Sequence, residues 1–268
     1  MKSYSGKTSL VTGASSGIGK ALAESLAARG SHLILVARSQ DRLDELAAAL
    51  RASRGVKVAV IALDLSQAGA AARLFAEVER QGLKVDLLVN NAGFGKWGRF
   101  EDDTLATYGE MMDLNMRAVV ELCHLFLPAM ASRGDCGILN IGSTASFIPV
   151  PWSAVYGATK AFVLSFSEAL SYEYRGKGVQ ITALCPGNTE SNFANVANAS
   201  AQKGKDVGDT PEMVADTGLD ALLKGQGCVI SGKNQMVGWL PRFLSRQRVL
   251  SVAGETWKKR LIARGVPV

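Results

Sequence analysis

Between residues 8 and 230, short apolar runs alternate with stretches of helical periodicity, and this alternation constrains the fold more than any other feature. Runs 8–11 and 32–36 flank 18–29, where apolar and small residues recur at helical spacing. Residues 42–51 read as the next helix and 56–62 as the third strand. A helix near 70–81 leads to a strand at 85–89, and a long helical stretch at 104–133 leads to a strand at 137–141. A helix at 154–175 and strands at 180–184 and 227–230 complete the series. Before the last strand, Thr210, Pro211 and Glu212 supply an N-cap, a proline at N1 and an acid in the first turn. Strict alternation implies an α/β fold: a doubly wound parallel sheet of about seven strands with helices on both faces.

A chain of 268 residues with 47% hydrophobic content can bury one large core. The expected organisation is a Rossmann-type domain over 1–232, with a basic amphipathic extension, 233–268, packed on it. Cys123, Cys136, Cys185 and Cys228 form no CxxC or Cys/His pattern, which suits a reducing cytoplasm and argues against structural zinc. The first strand begins too early for a cleavable signal peptide, and the richest apolar stretch is broken by Glu121 and His124, so no transmembrane segment is expected. Charge is unevenly placed. Residues 233–268 carry eight basic residues against Glu255, a net +7, so the first 232 hold −1 of the chain's +6. A solvated helix face is the expected reading of that tail, with an anionic membrane surface or an acidic substrate as the alternatives. No recognition motif accompanies the charge, which excludes nucleic acid as the expected partner.

The turn after the first strand, TGASSGIG at 12–19, places Gly13, Gly17 and Gly19 where backbone amides can approach a diphosphate at the positive end of a helix. About 20 residues beyond such a turn an acid normally accepts the ribose 2′-hydroxyl of NAD. Here Ala37 and Arg38 stand instead. A guanidinium pairs with a 2′-phosphate, so NADP(H) is the expected cofactor; an ordinary loop arginine would leave the missing acid unexplained. Asp64 would bond an adenine amino group, with Leu65 lining the ring, or would cap a helix. Asn90, Asn91, Ala92 and Gly93 suit a cofactor-facing turn or one that repairs sheet hydrogen bonding. Asn115, a poor helix former inside a long helix, marks a local break or a surface position.

Tyr156 and Lys160, four residues apart in YGATK, share one helix face. A nearby ammonium favours the phenolate and draws a tyrosine pKa toward the range of a general acid or base. Hydride arriving at a carbonyl carbon leaves charge on oxygen, which needs a proton donor and a second hydrogen bond. Tyr156 and Ser143 can supply both. His32 and His124 fall in no motif and are expected to be structural, and no cluster of metal ligands is present in the sequence.

TGASSGIG, NNAG, Asn115, Ser143, YGATK and Pro186-Gly187 stand in the order and spacing of the short-chain dehydrogenase/reductase family, which the chain resembles over residues 6–232. The resemblance implies Tyr156 as catalytic acid or base and Ser143 as the holder of the substrate oxygen. It implies Lys160 on the nicotinamide ribose, lowering the tyrosine pKa, and Asn115 anchoring a water in a proton relay. Cofactor contacts are implied at Gly13, Ser15, Ser16, Gly17, Ile18, Gly19, Arg38, Asp64, Leu65, Asn91, Ala92, Gly93, Pro186, Gly187 and Thr189. It also implies a homodimer or homotetramer through the helices at 104–133 and 154–175. The chain lacks the acidic, glycine-rich ending of many members and continues instead into its basic tail.

Phe94, Trp97, Phe147, Trp152 and Phe193 flank the expected site and suit a hydrophobic ketone, aldehyde or secondary alcohol. Lys96 would greet an acidic or phosphopantetheine-linked substrate. The irregular stretch 189–209 is expected to be a lid. Within oxidoreductases the close alternative is a 3-oxoacyl thioester reductase. Outside them stand a nucleotide-sugar epimerase or dehydratase, for which the chain has little room, and a catalytically silent NADP(H) sensor, which would not need Ser143, Tyr156 and Lys160.

Overall fold

The computed structural model describes residues 1–189, 208–232, 235–263 and 265. In chain order these form β1 (Thr8–Thr12), α1 (Gly17–Ala28), β2 (His32–Ala37), α2 (Gln40–Arg54), β3 (Val58–Ala62), α3 (Ala70–Arg80) and β4 (Leu87–Asn90). Then come α4 (Leu105–Met112), α5 (Ala118–Arg133), β5 (Cys136–Ile141), α6 (Ala154–Glu173), β6 (Val179–Cys185), α7 (Pro211–Leu223), β7 (Cys228–Ile230) and α8 (Arg246–Ala263). The seven strands make one sheet in the order β3-β2-β1-β4-β5-β6-β7, every neighbouring pair parallel.

Alternate strand residues point to opposite faces, and both faces are covered, which is why the strands read as unbroken apolar runs. On one face Val11, Leu33, Leu35 and Val89 pack under Leu22 and Leu26 of α1, Leu43 and Leu50 of α2, and Leu219 of α7. On the other, Leu10, Ile34, Val36 and Leu88 meet Leu74 of α3 and Leu122, Phe126 and Met130 of α5. Each fully buried leucine or phenylalanine contributes about 1.5–3 kcal/mol.

The long helical stretch is not one helix. A five-residue π turn, Asp113–Arg117, separates α4 from α5, with the Ala118 N–H bonded to the Asp113 carbonyl. By length and composition alone, Leu105–Arg133 contains an 18-residue window apolar enough to cross a membrane, at a mean hydropathy of 1.2, where none was expected. Its inward side nevertheless belongs to the core beside α3. The start of α7 is as read from sequence, the Thr210 side chain accepting from Met213 N–H at 3.2 Å. His32 is structural: its Nδ1 accepts from the Lys57 N–H. At the end of β6, Thr189 pairs with Asp209, whose N–H also donates to the Asn188 carbonyl at 2.9 Å.

Strand order reverses between β1 and β4, and at that crevice the backbones come close enough to demand glycine. A Cβ at Gly19 would lie 2.3 Å from the Gly13 carbonyl oxygen and 2.4 Å from Asn91 Nδ2. Gly19→Ala should therefore force α1 off the β1 turn and cost about 2 kcal/mol; a lowered urea midpoint at constant slope is the expected result, measured by circular dichroism.

Candidate active site

The turns at the carboxyl ends of β1 and β4 are tied by Thr12, a residue the sequence reading passed over. Its hydroxyl donates to the Val89 carbonyl at 3.2 Å and accepts from the Asn91 and Ala92 N–H groups, each at 2.9 Å. Asn91 Nδ2 donates to the carbonyls of Thr12 at 2.8 Å and Gly13 at 3.4 Å, so this side chain repairs sheet bonding rather than facing a ligand. Asn90 turns inward, donating to Asn140 Oδ1 at 2.8 Å.

Ser143 follows β5 and opens a short 3₁₀ turn, Thr144–Ser146, accepting from Ala145 N–H at 3.1 Å. Ser146 links this turn to α6, accepting from Ser143 N–H at 3.2 Å and donating to the Lys160 carbonyl at 2.7 Å. Tyr156 and Lys160 lie in the first turns of α6, both buried. The three expected catalytic groups are thus brought together, and the Ser143 hydroxyl is near enough to the Tyr156 phenol to favour its ionised form. Burial pushes the Tyr156 phenol up to about 12, against the opposing hydrogen bond from Ser143. Burial also pushes the Lys160 ammonium down to about 8.

Lys160 lies beside the tyrosine it was expected to influence. Its Nζ donates to the Ile141 carbonyl at 2.8 Å and lies 5.8 Å from the Tyr156 ring centroid. Desolvation dominates both groups.

Asn115 is buried inside the π turn, where the expected break does occur. Its side chain, however, brackets other groups: Oδ1 accepts from Phe94 N–H at 3.1 Å, and Nδ2 donates to the Phe94 carbonyl at 2.9 Å and Thr159 Oγ1 at 3.0 Å. Gly93 is required beside it, since a Cβ there would sit 2.9 Å from Asn115 Oδ1 and 3.5 Å from Lys160 Nζ.

A nicotinamide dinucleotide fits these residues. Gly13 and Gly17 have φ of +66° and +54°, and Ser16 enters α1 extended, with no side-chain cap and no acid in the first turn. The first N–H groups of that helix are left for an anion, beside Ser15 and Ile18. Arg38 is exposed next to Asp64. Lys160, with three N–H bonds and one bond to Ile141, has donors to spare for ribose hydroxyls. Pro186 anchors the neighbouring turn by accepting from Thr144 N–H at 2.8 Å, and Thr189 Oγ1 donates to the Gly187 carbonyl. Asp64 Oδ1 accepts from Ser66 N–H and Oγ in a local turn; burial opposes ionisation, yet these bonds and Arg38 hold its carboxyl below the usual range. Leu65 packs into the core rather than lining a surface.

A cavity of 320 Å³ adjoins Tyr156, walled by Lys96, Phe100, Met111, Pro151 and Trp152 among others. Of the expected pocket residues that are described, Trp152 alone lines it. Phe94 is held through its backbone by Asn115, Trp97 stacks on Trp257 of α8 at 4.2 Å, and Phe147 packs against Leu164 and Cys185. Phe193 lies outside the described residues. Trp152 has φ +66°, a conformation that costs a side chain about 1–3 kcal/mol. Two bonds hold it there: Gly98 N–H donates to the Trp152 carbonyl at 2.9 Å, and Ser153 Oγ donates to the Lys96 carbonyl at 2.6 Å.

Residues 7–202 match the short chain dehydrogenase family. The chain is 38% identical over 223 residues, 81% of its length and 67% of the relative's, to very-long-chain 3-oxoacyl-CoA reductase-A of Danio rerio. Among solved structures, it resembles a short-chain dehydrogenase from Sphingobium yanoikuyae in complex with NADPH, at 33% identity and TM-score 0.81, covering 91% of this chain and 95% of that one. It also resembles the bulky-bulky ketone specific alcohol dehydrogenase from Comamonas testosteroni, at 33% identity and TM-score 0.78, covering 91% and 94%. A match that runs from β1 through β6, with relatives of this identity, makes the chain a member of the short-chain dehydrogenase family.

Proposed function

We propose that the chain is an NADP(H)-dependent oxidoreductase moving hydride between nicotinamide C4 and the carbonyl or secondary alcohol of an apolar substrate. The observation that carries this reading is that Ser143 and Tyr156 are brought together beside a buried Lys160 that has N–H groups beyond its bond to Ile141. The bound cofactor supplies the hydride. As charge develops on the substrate oxygen, Ser143 donates a hydrogen bond to it and Tyr156 gives it a proton. In oxidation Tyr156 takes that proton back. A phenol held near 12 is a competent donor at neutral pH, and it becomes a base only when the site stabilises phenolate.

Arg38 favours a cofactor bearing a 2′-phosphate, in keeping with the NADPH complex of the Sphingobium relative. Phe100, Met111, Pro151 and Trp152 in the cavity wall favour a hydrophobic carbonyl compound, and Lys96 in the same wall, with the name of the Danio relative, supports 3-oxoacyl thioesters as a second reading. A reducing cytoplasm belongs to the same proposal, supported by four cysteines outside any disulfide. So does pairing of subunits through α4 to α6, where Leu105, Met112 and Phe162 are exposed.

The test is NADPH oxidation at a panel of ketones, aldehydes and 3-oxoacyl thioesters. Tyr156→Phe should lower turnover at least about a hundredfold while leaving the NADPH Kd near normal; retained turnover would remove the tyrosine from its role. Ser146→Ala should unseat the Ser143 turn and lower kcat by about tenfold, roughly 1.4 kcal/mol. Ser146→Thr should recover most of that loss, and an unchanged kcat in the alanine variant would make the link dispensable.

Lys160 gives a pH signature. Below about pH 8 it is charged with or without cofactor, so binding exchanges no proton there. Ribose hydroxyls favour the ammonium and raise its pKa in the complex. Between about 8 and that higher value, NADPH binding takes up a proton and affinity falls as pH rises. Calorimetry at alkaline pH in two buffers of different ionisation enthalpy should give different heats, and Lys160→Met should abolish the difference. Equal heats in the wild-type chain would contradict the assignment.

A further inference from the structure

Beyond the C-terminal end of β7, the chain makes two short 3₁₀ turns, Gln235–Gly238 and Leu240–Phe243, and then α8. Among the described residues, thirteen large apolar side chains are exposed, and seven of them fall within 235–263. Phe243 is 77% exposed and meets Trp239 edge-on at 6.0 Å; Met236 stands exposed beside them. On α8 the inward side is set by Ala253, Trp257 and Leu261 at four-residue spacing. Arg248, Val252, Glu255, Lys259 and Ile262 follow one outward stripe, with Val252 66% exposed. Apolar groups left in water at this density mark a contact surface.

Charge selects the occupant. The segment 233–268 carries +7 while the rest of the chain carries −1. A second copy meeting this face symmetrically would set +7 against +7, and an apolar partner alone would leave the cations unanswered. We propose that residues 235–263 dock on an anionic lipid bilayer, the Trp239–Phe243 turn entering the headgroup boundary and the cations of α8 lying against lipid phosphates. Exposed aromatic side chains flanked by Lys and Arg are what such an interface takes. The placement has a use. Trp257 stacks on Trp97 and Gly254 faces Pro151, so α8 lies on the two loops beside the cavity that adjoins Tyr156. A membrane-dissolved carbonyl compound would meet the protein on its site side.

The experiment is co-sedimentation of the full chain with vesicles of phosphatidylcholine alone or mixed with phosphatidylglycerol, at low and high salt. The expected result is binding to the mixed vesicles, at least about tenfold weaker on phosphatidylcholine and lost at high salt. Trp239→Ala with Phe243→Ala leaves the charge unchanged and should weaken binding to mixed vesicles about tenfold, with unchanged circular dichroism. Arg248→Gln with Lys259→Gln, a second variant at exposed positions, should do the same. A chain that stays in the supernatant with mixed vesicles at low salt overturns the proposal. So does an aromatic double variant that binds as the wild type does, since charge alone would then suffice. A wild-type oligomer that dissociates in the aromatic variant without ever binding vesicles would assign the face to a second copy. Each readout is independent of turnover, so the proposed reaction stands or falls separately.

Discussion

Everything functional in this molecule depends on how closely two backbones approach at the crevice between β1 and β4. There Thr12 and Asn91 lace the ends of both strands together, and Gly13 and Gly19 leave no side chain in the gap. That lacing fixes the amino end of α1 and, one residue further on, puts Gly93 against Asn115 and Lys160. The anion end and the proton end of the site are therefore parts of one rigid knot. A displacement at either would be transmitted to the other through covalent neighbours rather than through a flexible linker.

The proton end is organised by desolvation more than by charge pairing. Tyr156 and Lys160 share a helix face, yet burial drives the phenol up and the ammonium down, so both resist ionisation. A neutral phenol beside an ammonium whose charge burial disfavours leaves the site poised for charge that arrives with ligands, a form of preorganisation in which the missing partners are donor and acceptor atoms of the reactants. Ser146 supplies rigidity by joining the Ser143 turn to the helix that carries both groups.

Much of this could be read from sequence, because the signals were local. Period and punctuation gave seven strands in their places, and the capping residues Thr210 and Pro211 marked α7 to the residue. Ser143, Tyr156 and Lys160 were recognisable because a strand end and a helix face each carry their own spacing. What stayed hidden depends on which way a side chain turns. Leu65 sits one residue from a site position but points into the core, and Phe147 and Trp97 spend their rings on Cys185 and Trp257. Nothing in a linear chain announces the partner of an aromatic 160 residues away. Thr12 and Ser146 were overlooked for the opposite reason: a hydroxyl in a turn is so common that its several bonds cannot be told from a single one.

The pairing of Thr189 with Asp209 joins two residues far apart in the chain just beyond β6. Because the ends are already held together by that bridge and by the Asn188 carbonyl, the cost of enclosing more chain grows only logarithmically, about 0.6 kcal/mol for each doubling of length. Insertions or deletions between these two residues would thus barely touch the stability of the sheet or the geometry around Tyr156. A lineage carrying this clasp can change the length of chain between its two ends while the reacting groups stay where they are.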